Sequence, residues 1–456
     1  MIKAVCGLVV LIILSMCPAI TLAQETGTES GAPAGATTQT APVAAPGTVP
    51  AAVAADTIPP GTTITMQNWR QYKQFMPEGM AALFQGSYYW KMPSDVQMVV
   101  GPATSYPLPK NYAAATEKYG SQVKVVELPD GGLTLNGYVG GRPFRDPSGP
   151  HKGWEVLADV WYRYLPSLAV DTYGTGCTQD RYGSINCSAD QIVYRQLGFN
   201  TDPGVAANVP GAEGKFYTEW VMTVEPEQEK YNASLTISYT DLAKPESVYV
   251  FIPSLRRYQP VSSAARCGST GGIDVLSDDY RFGFDSNMTQ VKVDFLGEKK
   301  LLMLFPSEIP AGKFPADYDM PLAWPAPSWG KWQLRDAYVI SVSKVPAHAA
   351  GYCYGKRVMY IDKESSAPVW EDLYDSDMRP WKYLGIFLHP MNVPGVGMAV
   401  ATGSEFEGFW DIQNKHATYF LDPGEGHPFY LNSGAPAEFS DLNRYTTPSG
   451  LNLIMR

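Results

Sequence analysis

Arg256-Arg257 and Asp278-Asp279 lie within one stretch, VYVFIPSLRRYQPVSSAARCGSTGGIDVLSDDYRFGFD, from Val248 to Asp285. An arginine pair can grip an anion through its planar donor forks, and two carboxylates can serve as acid and base. Glu371-Asp372 and Asp375 form a second set from which a glycosidase could draw its carboxylate pair. Against this chemistry, adjacent carboxylates in a polar turn more often cap or solvate a loop. Other catalytic patterns fail at definite positions. No His-Glu-x-x-His and no phosphate loop occur, and the run opening Gly395-Val396-Gly397 has Val400 where a third glycine belongs. Ala326-Pro327-Ser328-Trp329-Gly330 lacks the first glycine of a nucleophile elbow, and Pro325 and Pro327 deny the approaching strand its hydrogen bonds. Ser328 is therefore not expected to be a nucleophile.

The cysteines sort by compartment. Lys3 precedes an apolar run from Ala4 to Met16 and a small-residue ending at Ala23, which reads as a signal peptide over residues 1–23. As a permanent span it is short, since a membrane helix needs ~20 apolar residues. Leu14-Ser15-Met16-Cys17 also resembles a lipoprotein processing box, with Met16 where that box wants a small residue. Export leaves Cys177, Cys187, Cys267 and Cys353, an even set that favours disulfides. Cys177 and Cys187 bracket the short loop CTQDRYGSINC, which leaves Cys267 for Cys353. No metal site is expected, because there is no Cys-x-x-Cys spacing and His151, His348, His389, His416 and His427 are scattered.

Residues 24–60 are rich in Ala, Pro, Thr and Gly and cannot bury enough surface to offset their ordering, so a flexible tether is expected there. No second low-complexity linker follows, and residues 61–456 read as one extended domain. With 35 basic against 45 acidic residues, a net charge of −10 and no basic block, nucleic acid is an unsuitable partner. Aromatics make up 12% of the chain and charges only 18%, a balance that suits a β-rich exported protein with wide apolar surfaces.

The elements that must position these residues are mostly strands. Trp69, Tyr72, Phe75 and Met76 recur at helical spacing until Pro77 and Gly79 interrupt them, and NYAAATEKYG from Asn111 gives a second helix ending at Gly120. KFYTEWVMTV from Lys215 and ASLTISY from Ala233 alternate around a polar turn, as a hairpin does. Further strands are expected over 248–252, 290–295, 301–305, 335–345 and 357–361, the last returning through 369–374 as a hairpin with a polar tip. Long strands, short turns and few helices imply a mainly β, α+β protein with a broad antiparallel sheet.

GYVGGRPF from Gly137, VYVFIPSLRRYQP with Asp278-Asp279 downstream, RVMYIDKESSAPVWEDLYDSDMRPWKYL from Arg357 and WDIQNKHAT from Trp410 occur here in that order. Together they resemble domain-of-unknown-function family 1329, a bacterial family labelled outer-membrane lipoprotein-sorting-like. The resemblance implies a LolA/LolB-type architecture: an incomplete antiparallel β-barrel curved around a few lid helices, with an apolar hollow for acyl chains. In that fold a basic residue at the cavity mouth can bond to lid carbonyls or a lipid headgroup. Arg256 and Arg257 are candidates for that position, and pairing with Asp278 or Asp279 is the other reading of them.

The function expected is therefore an exported carrier, in the periplasm or at the outer membrane of a Gram-negative bacterium, that shelters a lipid-like molecule without chemistry or cofactor. Peripheral contact with a membrane and with an envelope transport complex fits that role. Phe216, Trp220, Met222, Leu235, Ile237, Tyr249 and Phe251 are the candidate wall, although an aromatic stripe on a strand is more often packing than pocket. Two other classes compete. One is a secreted carbohydrate- or ester-active enzyme with aromatic platforms, for which converging carboxylates in a cleft would speak; the other is a structural partner of an export complex, burying its apolar face against another protein.

Overall fold

The computed structural model describes residues 57–262, 266–268, 272–307, 313–401, 405–424 and 426–455. The leader, Cys17 and the tether up to residue 56 lie outside them. Alternating apolar residues build sixteen strands of one sheet. In chain order they are β1 Thr63–Ile64, β2 Met98–Gly101, β3 Leu168–Gln179, β4 Ile185–Gln196, β5 Lys215–Glu225, β6 Ala233–Tyr239, β7 Ser247–Ile252 and β8 Arg257–Val261. The second run is β9 Val291–Met303, β10 Trp332–Lys344, β11 Tyr354–Asp362, β12 Pro368–Asp375, β13 Pro380–Leu388, β14 Glu405–Asp411, β15 His416–Asp422 and β16 Phe429–Leu431.

Their order is β1-β2-β10-β11-β12-β13-β14-β15-β3-β4-β5-β6-β7-β8, with β9 also on β10 and β16 on β3. Two meanders thus meet where β15 pairs with β3, Leu421 opposite Thr175 and Tyr419 opposite Cys177. Among the described residues the sheet stays open, with β8 at one end and β1 and β9 at the other. The fold is mainly β, an incomplete barrel with few helices. One pairing departs from the expected antiparallel pattern: β2 runs parallel to β10 through Val100 and Gly101.

The α-helices among the described residues are α1 Glu78–Gln85, α2 Lys110–Tyr119, α3 Lys152–Trp161, α4 Pro346–Ala349, α5 Leu442–Thr446 and α6 Pro448–Leu451. Pro77 does not break a helix as its position in the sequence suggests. It precedes α1, where the missing N–H costs nothing, and a 3₁₀ turn over Trp69–Phe75 stands in front of it. The two expected strands at 290–295 and 301–305 are one strand, β9, with a register shift between Phe295 and Gly297. Both disulfides are present, Cys177–Cys187 across the β3–β4 hairpin and Cys267–Cys353 between segments 86 residues apart.

Strand alternation sends β11 side chains to two cores. Val358 and Tyr360 join α1 and Trp324, Trp370 and Trp410 on the outer face. Met359 and Ile361 join Trp154, Leu157 and Trp161 of α3 on the inner face. The strands β11–β13 are accordingly buried on both sides. On β5–β7 the outer face is closed by the chain's last turns, Phe439, Tyr445 and Leu451, which pack on Trp220, Leu235, Ile237 and Phe251.

Candidate functional site

The inner face carries Arg357 and Glu371 and receives Asp274, Asp278 and Asp279. Segment 272–286, which follows the Arg pair in sequence, lies across β11–β15 there and is fastened by ions. Arg357 on β11 donates through Nη2 to Asp279 at 2.9 Å and through Nη1 to Glu371 on β12 at 3.0 Å. Tyr354 donates its hydroxyl to Asp279 at 2.7 Å, and the Leu276 N–H adds a bond of 2.9 Å. Asp278 is gripped by Arg266 and by the Tyr352 hydroxyl, with Lys344 at 3.6 Å. At the far end Asp274 accepts from Thr418 at 2.9 Å and meets His416 at 2.7 Å.

This overturns two expectations. Asp278 and Asp279 are not solvated loop residues: they are 1% and 0% exposed, because Arg266, Lys344 and Arg357 offset their desolvation. Nor do they pair with Arg256 and Arg257. Those arginines are exposed at the tip of the β7–β8 hairpin, where Arg256 adopts a left-handed φ of 48° to make the turn. Burial alone would raise Asp278, yet Arg266 and Lys344 hold its carboxyl below the usual range. Glu371 is pushed up to about 8 by burial, against the pull of Arg357, and its Oε1 has no hydrogen-bond partner. Gly283 is required beside it: its φ is 91°, and a Cβ there would stand 2.5 Å from Glu371 Oε1. The carboxylates that an enzyme would use thus close a dry joint.

Asp372, on the outer face of β12, is buried with three donors: Gly79 N–H at 3.0 Å, Tyr360 OH at 3.0 Å and Trp370 Nε1 at 2.8 Å. Burial outweighs them and raises its pKa to about 7. An acid raised in this way binds more protons folded than unfolded, so its contribution is full below ~4 and is lost as pH rises toward about 7. Glu371 and His416 are raised too and act in the same sense. Thermal stability should therefore fall from pH 5 to pH 8, with Asp372→Asn flattening a slope of up to ~1.4 kcal/mol per pH unit. Melting curves over that range check this; a wild-type midpoint that rises with pH would contradict it.

The register decides where the candidate wall residues point. Trp220, Leu235 and Tyr249 form one cross-strand row, and Met222 and Phe251 flank Ala233 in the next, with Ile237 on the same side. All six are on the outer face. Trp220, Leu235, Ile237 and Phe251 are 0–4% exposed under the chain's own C-terminal turns, and Met222 and Tyr249 are half-buried beside them. Phe216, beyond a register shift between Lys215 and Thr218, packs instead with Trp161, Tyr162 and Phe199 in the inner core. An enclosed cavity among Met80, Trp332, Trp370 and Phe387 measures about 10 Å³, room for about one water.

The opposite phase of the same strands is different. Ile192, Val221 and Val250 share a row with Ser234, while Val248 lies across from Thr236 in the next and Ile252 ends β7. These five aliphatic residues are half-exposed, on the inner face. Glu219 stands in the row of Tyr194, Thr236 and Val248. It is half-exposed by accessible area, yet desolvation is the main cause that raises it to about 7, with Asp285 second. Asp190 and Tyr280, also half-exposed, are raised chiefly by desolvation too. Sequence reasoning missed this face. Its signal was the alternation that puts Val248, Val250 and Ile252 on one face of β7, opposite Tyr249 and Phe251.

The family model described as Protein of unknown function (DUF1329) matches residues 63–451. The chain belongs to that family. A solved DUF1329 protein from Desulfovibrio piger is 12% identical to it, covering 66% of this chain and 100% of its own, with a TM-score of 0.45. An outer-membrane lipoprotein-sorting protein domain from Vibrio parahaemolyticus is 12% identical, covering 65% and 98%, at 0.44. A LolA-superfamily protein from Nitrosomonas europaea is also 12% identical, covering 65% and 98%, at 0.37. No curated protein is significantly similar in sequence. Among the described residues of this DUF1329 chain, no helix is long and apolar enough to cross a membrane.

Proposed function

We propose that this DUF1329 protein is an exported envelope protein that shelters an apolar, lipid-like molecule against the inner face of β4–β7 and performs no chemistry on it. The observation that carries the reading is the contrast between the two phases of those strands. Outer-phase Trp220, Leu235, Ile237 and Phe251 are sealed by the C-terminal turns, with Met222 and Tyr249 half-buried beside them, while Ile192, Val221, Val248, Val250 and Ile252 of the inner phase are all half-exposed beside the ion-fastened segment. Hydrocarbon laid on that face gains ~0.8 kcal/mol per buried CH₂ and asks nothing of a carboxylate. The carboxylates that a hydrolase would need are 0–1% exposed: Asp278, Asp279 and Glu371 are in ion pairs, and Asp372 is held by three neutral donors. The leader over residues 1–23 and the two disulfides support the periplasm as its place. Native mass spectrometry of the protein purified from its own host, with organic extraction of what travels with it, tests the reading. An apolar small molecule should be recovered.

A further inference from the structure

We infer that Asp171 and Asp422 form a proton-sharing latch on the seam between the two meanders, closed while a proton lies between their carboxyls and released when it leaves. The latch goes beyond the carrier reading and stands without it.

The backbone is least secured where the pair sits. β15 pairs with β3 from Gln179 only as far as Thr175, and β16 takes up the same edge at Asp171, opposite Phe429. Between these two ladders the Gly424 N–H donates to the Tyr173 carbonyl at 2.9 Å. On the other edge of β3 the register with β4 also shifts, between Asp171 and Gly174.

The two carboxyls meet over this gap. A Cβ on Gly174 would stand 2.5 Å from Asp422 Oδ1 and 3.1 Å from Asp171 Oδ2, so both oxygens close over a position that only glycine fits. Asp171 is 4% exposed, its Oδ1 accepts from the Tyr173 N–H at 2.8 Å, and no N–H or hydroxyl among the described residues reaches its Oδ2. Its carboxyl is instead bonded to that of Asp422. Ionised carboxylates only accept, so such a bond exists only when one partner carries a proton, and two like charges this close do not both form readily.

The surrounding charges do not replace that proton. His427 is the cation that acts on Asp171, and its ring is stacked on Tyr173 at 4.0 Å. The other titratable groups add negative charge or lean on it. Tyr173 donates its hydroxyl to Glu225 on β5 at 2.6 Å, and Asp190 on β4, across from Gly174, is bonded to Thr223. Glu425, in the same loop as His427, lies outside the described residues. Burial raises the Asp171 carboxyl to about 6, against the pull of the Tyr173 amide, Asp422 and His427. A group raised in this way binds its proton more tightly folded than unfolded, so the latch holds fully below ~4 and is lost as pH rises through about 6. Ile192 lies opposite Asp171 and shares a row with Val221 and Val250, so the latch borders one end of that aliphatic row.

Hydrogen exchange of the full mature chain, read by mass spectrometry at pH 5.0 and 7.5 with the intrinsic exchange rates divided out, tests this. Asp171→Asn and Asp422→Asn each keep a hydrogen-bonded pair, because the amide is a fixed donor to the remaining carboxylate, and each removes the shared proton. Between the two pH values, wild-type peptides over 168–178 and 420–431 should lose about tenfold more protection than the same peptides of either variant, as a carboxyl at about 6 requires. Peptides over 233–239, on β6, should not show that excess, which separates a local latch from the pH dependence of the whole fold. Equal losses in wild type and both variants overturn the latch. An excess loss spread equally over 233–239 also overturns it, as does failure of both variants to fold, since the pair would then hold the whole molecule and not its seam.

Discussion

Replacing Arg357 by methionine should destabilise the protein by about 3–5 kcal/mol, among the largest effects of any single change in it. The side chain is 3% exposed and holds two acids on different elements, Asp279 at 2.9 Å and Glu371 at 3.0 Å. Asp279 would keep Tyr354 OH and the Leu276 N–H, whereas Glu371, whose Oε1 already has no partner, would lose the only cation bonded to it among the described residues. A buried carboxylate without a counter-ion takes up a proton instead, so the loss should be smaller at pH 5 than at pH 8. Urea unfolding of Arg357→Met, Glu371→Gln and the double variant measures the coupling. The double variant should be less damaged than the two single costs added together, by ~0.5–3 kcal/mol. Additive costs with no pH dependence would mean that the ion pairs hold nothing.

Trp220→Glu should not fold. Trp220 is fully buried and meets Tyr445 edge-on at a centroid distance of 5.2 Å, under the C-terminal turns. Truncating a buried Trp costs ~3–5 kcal/mol before any charge is introduced, and an unpaired charge adds several more. The total approaches the whole stability of an ordinary domain, ~5–15 kcal/mol. Trp220→Phe should fold with a lowered midpoint, which separates lost volume from buried charge. Val250→Asp, on the other phase of the same sheet, should fold, because its side chain is half-exposed. Circular dichroism and melting curves of the three variants decide. A folded, stable Trp220→Glu would mean that the outer face opens, and would return Trp220, Leu235 and Phe251 to the wall.

The sheet was legible because alternation is local. The hairpin of β5 and β6, the strands β7, β10 and β11, and the turn into β12 could be read from apolar spacing, and the small ring of Cys177 and Cys187 from proximity in sequence. The face was not legible. On β7 both phases are apolar, Val248-Val250-Ile252 and Tyr249-Phe251, and aromatic bulk drew the wall to the second set. What decides between them is Phe439, Tyr445 and Leu451, almost two hundred residues away, and no periodicity announces where the last turns of a chain will pack. The acids failed for the same reason. Asp278-Asp279 look like a solvated turn until Arg357 is brought over them by a β-meander, and Glu371-Asp372 look like a hairpin's polar end although the strand that carries them is covered on both faces. A cue was present in the second case: charges inside an otherwise apolar strand are tolerated only if something pairs with them or donates to them.

The most direct measurement of the central claim, an accessible aliphatic wall that holds a ligand, is native mass spectrometry with solvent extraction on host-purified wild type and on Val250→Asp, both shown to be folded. The wild type should carry a non-covalent apolar small molecule, and Val250→Asp should carry it at a tenth of that occupancy or less, since one charge on the wall removes hydrocarbon burial that no turn carboxylate replaces. A wild type recovered with no ligand, or a ligand held equally by the folded variant, would contradict the account.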